Sequence, residues 1–396
     1  MSMRRVMMVV MAQYPDDPRV RREAEALAEA GIWVDIICLR GSGENATETM
    51  GSVQALRILR ASDKDTINKY LLLSLQFLVL SFLKILRLTA RKRYDLIQFH
   101  NMPDYLILAG IPHKLMGRPL ILDLHDLSVD LFDSKWGRAR SRCFLPLVRL
   151  VEKLSCALAN SLITPSQGCI ERLVSRGISD GKITLVMNSA APEVFKRAPR
   201  DYKPIYKGAK LIYHGTVAHR FGVHVAMEAM NLVNKKVPGS TLHVYGLKYD
   251  RGYRAFLEER IKLSGLGNCV FLEGFRPWEE IAKMICQSDL AVVPYLRDPY
   301  MELALSTKTF ECVAMGLPVV SARLKSMTSI FDEECLSYFE PGNPAEMARQ
   351  VIELCENPQL RKERAEKALL AYEPISWPVM KKRYVNLALS LMHGQK

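Results

Sequence analysis

The sequence contains no Cys-x-x-Cys pair, no histidine at zinc spacing, no P-loop pattern, no low-complexity tract and no short-period repeat. Structural zinc modules, P-loop phosphate chemistry and repeat arrays are therefore excluded. The nine cysteines, at 38, 143, 156, 169, 269, 286, 312, 335 and 355, are odd in number and cannot all pair with one another. Thiols scattered in this way predict a reducing, cytoplasmic setting. The apolar run Tyr70–Leu86 is broken by Ser74, Gln76, Ser81 and Lys84, and it falls short of the ~20 residues that cross a bilayer. The opening run Val6–Met11 follows Arg4 and Arg5 much as in a secretory signal, but no small-residue cleavage site comes after it. It is read as a buried first strand.

A chain of 396 residues with 49% hydrophobic and 24% charged residues has room for two domains and is neither disordered nor fibrous in composition. Its net charge of +13 is unevenly spread. Residues 57–93 carry nine basic against two acidic side chains, residues 135–153 six against one, and the rest of the first 195 residues is net acidic. Two segments therefore hold the positive charge of the N-terminal half, which points to a polyanionic partner.

Apolar runs alternate with helical patterns along the first third: Val6–Met11, a helix from about Asp17 to Ala30 closed by Gly31, Trp33–Leu39, a long helical stretch, Leu96–Phe99, a helix, and Leu120–Leu124. The second half repeats the rhythm from Lys210–His214 onward. This predicts an α/β protein of two doubly wound, Rossmann-like domains. The boundary falls in 192–208, rich in proline and cations and without periodicity, so the domains are expected at 1–195 and 208–374. A last helix near Trp377–Met392 has one apolar face.

The most informative stretch is Leu290–Val320. Two β-branched runs, Leu290–Val293 and Leu317–Val320, flank a polar loop and a helix with Ser306 at its N-cap and Gly316 at its end. A helix start after a strand is an anion site, because its first N–H groups are unpaired and its dipole favours negative charge. Ser306, Thr307 and Lys308 add hydroxyls and a cation suited to a diphosphate, and Glu311, one turn on, could accept from two adjacent sugar hydroxyls. A solvated glutamate on an amphipathic helix is the plainer alternative. At the end of the domain's first strand, Tyr213–Gly222 sets Gly215, Thr216 and Arg220 in a turn where Gly215 and Gly222 allow close backbone approach and the guanidinium can fork across phosphate oxygens.

The stretch resembles the donor-site motif of retaining glycosyltransferases of the GT-B fold, family 4 (glycosyl transferases group 1). Glu311, Met315, Gly316, Pro318 and Val319 match. The first of the family's two glutamates is replaced by Leu303, and Glu302 stands one residue early. The 213–222 turn is similar to the family's Gly-Arg or Gly-Thr turn, and LILDLHD at 120–126 is similar to its strand ending in histidine. The resemblance implies two Rossmann-like domains facing each other across a cleft, with a C-terminal helix, 375–396, crossing back to the first. It implies transfer from a nucleotide diphosphate sugar with retention, without cofactor or metal. His125 would sit beside the sugar, Arg220 with Ser306, Thr307 and Lys308 would stabilise the leaving diphosphate, and Glu311 would hold the ribose.

On the acceptor side, His100 and Asn101 end another strand at the same sheet edge, and Asp126 either orients the His125 ring or touches acceptor. Arg19 and Arg22, where many members carry a Gly-Gly loop, bind an acceptor phosphate or solvate a helix face; both readings stand. Val186–Ser189 is read as the last strand before the linker. Gly41–Ala46, a Gly-x-Gly-x-x-Ala match, is read as a loop. Asp63-Lys64-Asp65, a match to the metal-binding pair of another glycosyltransferase fold, is discounted because it follows no strand.

Within 70–86 the helical projection gives two apolar stripes. Leu71, Leu75, Leu78, Val79, Phe82 and Leu86 are assigned to the core. Leu73, Phe77 and Leu80, lying with Lys84 and Arg87, are assigned to the headgroup boundary of an anionic membrane. A second helix covering that stripe is the alternative. The basic segment 135–153, with Trp136, Phe144, Leu147 and Leu150 interleaved, agrees with peripheral membrane association, and no nucleic-acid-binding motif is present. The expected partners are a nucleotide-sugar donor, a saccharide or lipid-linked acceptor and an anionic membrane surface. A nucleotide-sugar epimerase or a phosphorylase of the same fold, or a catalytically silent membrane or nucleic-acid binding protein, stays open.

Overall fold

The computed structural model describes residues 3–62 and 67–394, leaving aside the side chains of 67, 135–143 and 251. The chain forms two compact units, residues 1–187 with 380–396, and residues 188–379.

The first unit runs β1 (Arg5–Gln13), α1 (Pro18–Glu29), β2 (Trp33–Arg40), β3 (Thr47–Met50), β4 (Val53–Arg60), α2 (Ile67–Thr89) and β5 (Leu96–His100). It continues through a 3-10 segment (Asp104–Gly110), α3 (Ile111–Leu115), β6 (Leu120–Asp123), α4 (Ser128–Leu158), β7 (Ser161–Thr164), α5 (Gln167–Ser175) and β8 (Ile183–Leu185). Its sheet has the order β3-β4-β2-β1-β5-β6-β7-β8, parallel except for β3. Strands such as Val6–Val9 and Leu120–Leu122 are apolar on both faces because helices cover both, and they are fully buried. Asp17 caps α1 by accepting from the Arg19 N–H, and Gly31 turns the chain out of it at φ 77°.

The second unit contains β9 (Lys210–Val217), α6 (Val223–Lys236), β10 (Thr241–Tyr249), α7 (Arg251–Leu263), β11 (Val270–Glu273), α8 (Trp278–Gln287) and β12 (Leu290–Val293). It goes on with α9 (Thr307–Ala314), β13 (Val319–Ala322), α10 (Lys325–Thr328), β14 (Ser337–Phe339), α11 (Pro344–Glu356) and α12 (Pro358–Tyr372). Its parallel sheet runs β11-β10-β9-β12-β13-β14. The last helix, α13 (Trp377–His393), joins the first unit from Met380 onward. There the buried Tyr384 hydroxyl donates to Gln98 Oε1 at 2.7 Å, and Gln98 Nε2 donates to Glu23 Oε2 at 2.6 Å.

Three expectations are corrected. The stretch between β2 and β5 is not wholly helical, since 47–60 form the β3–β4 hairpin around Gly51, at φ 60°. The strand expected at 186–189 ends at Leu185, and only the Val186 N–H continues the ladder, to Thr164 O. Most positions of α2 face the opposite way from the sequence reading: Leu73 and Phe77 are buried, Leu71, Leu75, Val79 and Leu86 are exposed, and Leu78 and Phe82 are half-buried. The physical reason lies in Ser74 and Ser81, small and fully buried on the Phe77 side. They let that side approach the domain closely, and Ser74 Oγ lies 2.6 Å from the Tyr105 hydroxyl. Leu80 and Arg87 are exposed and Lys84 is half-buried. The Asp63–Asp65 pair and the side chains at 135–143, Trp136 among them, lie outside the described residues, and 41–46 is a loop as expected.

Candidate active site

In a doubly wound sheet, ligands bind at the carboxyl ends of the strands where the order of connection reverses. In the second unit that point lies between β9 and β12, and two sequence motifs meet there. Ser306 caps α9, its Oγ accepting from the Thr309 N–H. The turn after β9 packs so tightly on the loop after β12 that a Cβ at Gly222, which has φ 63°, would lie 1.8 Å from Pro294 O. A Cβ at Gly215 would lie 2.7 Å from Lys308 Cε.

A cavity of about 170 Å³ opens here, lined by Gly215, Thr216, Thr307, Lys308 and Glu311 among others. The structure thus brings these predicted donor residues together. Arg220 does not line it; its guanidinium lies 5.5 Å over the Tyr300 ring. Ser306 is buried beneath, 3.3 Å from the Tyr295 hydroxyl.

Several partners in this unit were not anticipated. His214, buried within β9 directly before Gly215, sets Nε2 2.6 Å from Glu311 Oε2. The plainer reading of Glu311 as a solvated surface carboxylate is therefore overturned, since it is only 9% exposed. Lys308 is nearly buried. Its Nζ donates to the Tyr295 hydroxyl at 2.6 Å and lies about 5 Å from the rings of Tyr213, Phe221 and Tyr295, cation–π contacts that fix its position. Phe195, Tyr245 and Trp278 supply an apolar and aromatic wall to the same cavity. A histidine directly before a strand-end glycine was the available signal for His214; the aromatic cage came from scattered positions and left none. Leu303, at the missing glutamate, is buried, and Glu302 does not replace it, since its carboxylate binds Arg297 at 3.0 Å and the Lys325 N–H at 2.7 Å.

In the first unit the order reverses between β1 and β5. Asp123, buried at the end of β6, places Oδ2 2.9 Å from both His100 Nδ1 and His125 Nε2. The two imidazoles lie parallel with centroids 5.9 Å apart. Burial works to raise the Asp123 carboxyl, but the charge of His125 and hydrogen bonding from both rings outweigh it and hold it well below its usual range. Burial, helped by the nearby Arg19, lowers the His125 imidazole against the opposing pull of Asp123. Asn101 completes the frame: its Oδ1 accepts from the His125 N–H, and its Nδ2 donates to Asp104 and to Asp126 O. Arg19 is paired with Asp17 at 2.9 Å, and Arg22 is buried with Nε donating to Pro18 O, so Arg22 does not merely solvate a helix face. The three groups His100, Asp123 and His125 have ligating atoms within 4.8 Å of one another, a set that could hold a metal ion.

Residues 208–357 match the family of glycosyl transferases group 1, and residues 17–189 match the glycosyl transferase 4-like domain. The chain belongs to the GT-B glycosyltransferases. It is 25% identical over 196 residues to the amylovoran biosynthesis glycosyltransferase AmsK of Erwinia amylovora, a match covering 49% of this chain and 47% of that relative. The match thus spans about half the length of this curated relative. The fold is that of sucrose-phosphate synthase from Thermosynechococcus elongatus, with a TM-score of 0.78 at 16% identity over 99% of this chain and 100% of that one. Anabaena HepE, solved in complex with UDP, superposes with a TM-score of 0.70 at 16% identity over 98% and 100% of the two chains.

Proposed function

We infer that this GT-B glycosyltransferase moves a sugar from a nucleotide diphosphate sugar to a saccharide or lipid-linked acceptor, with retention of configuration, in a reducing compartment. The observation that carries this reading is the meeting, at one cavity, of the α9 start, the caged Lys308, the glycine turn after β9 and the His214–Glu311 pair. A nucleoside diphosphate needs what these supply: N–H groups and a cation for the leaving phosphates, and a carboxylate for the ribose hydroxyls. HepE in complex with UDP lends the donor class support. The His214 ring fixes one Glu311 oxygen and leaves the other to accept from ribose, while the phosphate charge is met by Lys308 and the helix start, so the departing group needs no metal. By the same reading, the transferred sugar is assigned to His125 of the first unit, whose ring lies 2.9 Å from the Asp123 carboxylate.

The test is calorimetric binding of nucleoside diphosphates with different bases, followed by donor hydrolysis assays. Glu311→Ala is expected to weaken binding of the preferred nucleotide by about tenfold or more, a lost charged hydrogen bond being worth roughly 1.5–3 kcal/mol. Binding unchanged by that substitution, with no donor hydrolysed, would remove the reading. Chelation by EDTA is expected to leave hydrolysis intact; its loss, restored by a divalent ion, would show that the leaving group depends on metal.

A further inference from the structure

The orientation of α2 leaves an apolar surface that no described residue covers. Leu71, Leu72, Leu75, Val79, Leu83 and Leu86 recur at three- and four-residue spacing along one side of the helix and are 37–60% exposed. The opposite side, Leu73, Phe77 and Ile85, is buried in the domain. The second half of α4 repeats the pattern, with Phe144, Leu147, Leu150 and Leu154 at 51–60% exposure. Between them lies the 3-10 segment 104–110, which packs on both helices and is bound to them through Ser74–Tyr105 and Asp104–Ser128. It leads into α3, where Leu115 and Met116 are 82% and 55% exposed. The three elements therefore present apolar side chains from adjacent positions of one unit.

The charges on these elements are of one sign. Residues 67–94 and 111–122 contain no acidic side chain. Asp104 is buried, and the one acid of 144–158, Glu152, is buried with Arg176 Nη1 2.9 Å from its carboxylate. Lys69, Arg87, Arg91, Arg93, Arg149 and Lys153 are exposed beside the apolar stripes. An exposed apolar patch of this extent marks an interaction site. A protein partner would call for charges of both signs at the rim, whereas aliphatic stripes flanked by cations alone complement the acyl boundary and headgroups of an anionic bilayer.

We propose that α2, α3 and the second half of α4 form a lipid-docking surface that seats this domain on an anionic membrane, with the exposed leucines of α2 and α4 inserted at the acyl boundary. Helix α2, although long and apolar enough to cross a bilayer, lies along the surface, because its Leu73–Phe77–Ile85 side belongs to the domain core. The inference rests on exposure and charge and does not depend on sugar transfer.

The full chain is sedimented with phosphatidylcholine vesicles containing phosphatidylglycerol and with pure phosphatidylcholine vesicles. Wild type is expected to pellet with the former and to be released by high salt or alkaline carbonate. L75E/V79E is expected to reduce the pelleted fraction about tenfold. L263E, placed at a 79% exposed leucine in the other unit, should leave it unchanged. Circular dichroism and nucleotide binding, equal in all three proteins, separate lost docking from lost fold or lost donor recognition. Equal pelleting of wild type and L75E/V79E overturns the proposal. So does a wild-type dimer in sedimentation velocity that the double variant abolishes without any vesicle binding, which would assign the face to a second copy. Resistance to carbonate would overturn the seated geometry in favour of a spanning helix.

Discussion

Glu311 and Asp123 are both carboxylates held by histidine, yet the consequences differ. Glu311 keeps slight exposure and faces a cavity, so His214 acts on it as an orienting partner. H214F is expected to leave the fold intact and to weaken nucleotide binding less than Glu311→Ala does, because the carboxylate remains and only its orientation loosens; calorimetry on both variants checks the ranking. Asp123 is fully buried between two rings, and removing its charge frees both. D123N is expected to lower kcat by on the order of 10²-fold, as expected when a ring loses its orienting carboxylate, with the nucleotide Kd unchanged because the cavity proposed for the nucleotide is lined by residues of the other unit. Gly222 is a backbone requirement of another kind: a methyl group there meets a carbonyl oxygen 1.8 Å away at a φ of 63°. G222A is expected to cost on the order of 1–3 kcal/mol and to disrupt donor binding, read by thermal denaturation and by calorimetry together.

At the scale of elements, the parts legible in the sequence are those whose local chemistry leaves one solution. The α9 cap at Ser306 and the β-branched runs of β12 and β13 follow from capping preferences and from burial on both faces. S306A is expected to destabilise the second unit by about 1 kcal/mol, the usual worth of an N-cap, measurable as a shift in the denaturant midpoint. Two elements were not legible. Helix α2 carries two apolar stripes, and periodicity cannot say which faces the core; the choice is made by Ser74 and Ser81, whose small size matters only once the neighbouring 3-10 segment is in place. The β3–β4 hairpin, with Glu48 and Arg57 as an ion pair at 2.8 Å, lacks the alternation that marks a half-buried strand. Within the site, Glu311, Lys308 and His125 could be nominated from their positions after strands. The cage of Tyr213, Phe221 and Tyr295 around Lys308 gathers residues from three segments and exists only in the folded sheet.

For the whole molecule, acid acts on each unit through a histidine, fully buried in the first and half-buried in the second. In the first unit His113 is fully buried with neither ring nitrogen partnered among the described residues, and burial, reinforced by Arg118, lowers its imidazole from 6.5 to about 4. In the second, burial and the neighbouring His219 lower His224 to about 4, although its Nδ1 is bonded to the Tyr253 hydroxyl. A group whose folded pKa is depressed binds its proton more readily when unfolded. Its contribution is therefore complete above about 6.5 and is lost as the pH falls toward 4. For His113 the loss is on the order of 2–3 kcal/mol. H113L removes the titration and replaces two unsatisfied buried nitrogens with carbon, so the variant is expected to match or exceed wild type at neutral pH and to gain on it steadily as the pH falls. Glu23, raised by burial and by the Asp123 charge, imposes an opposite pH dependence on the same unit; comparing the two proteins at each pH cancels it, because both carry Glu23. Hydrogen exchange resolved by peptide reads the units separately: in H113L, protection below pH 6 should rise in β1, β5 and β6 and stay at the wild-type level in β9 and β12. Equal gains in both units, or none in the first, would mean that His113 does not set the acid sensitivity of its domain.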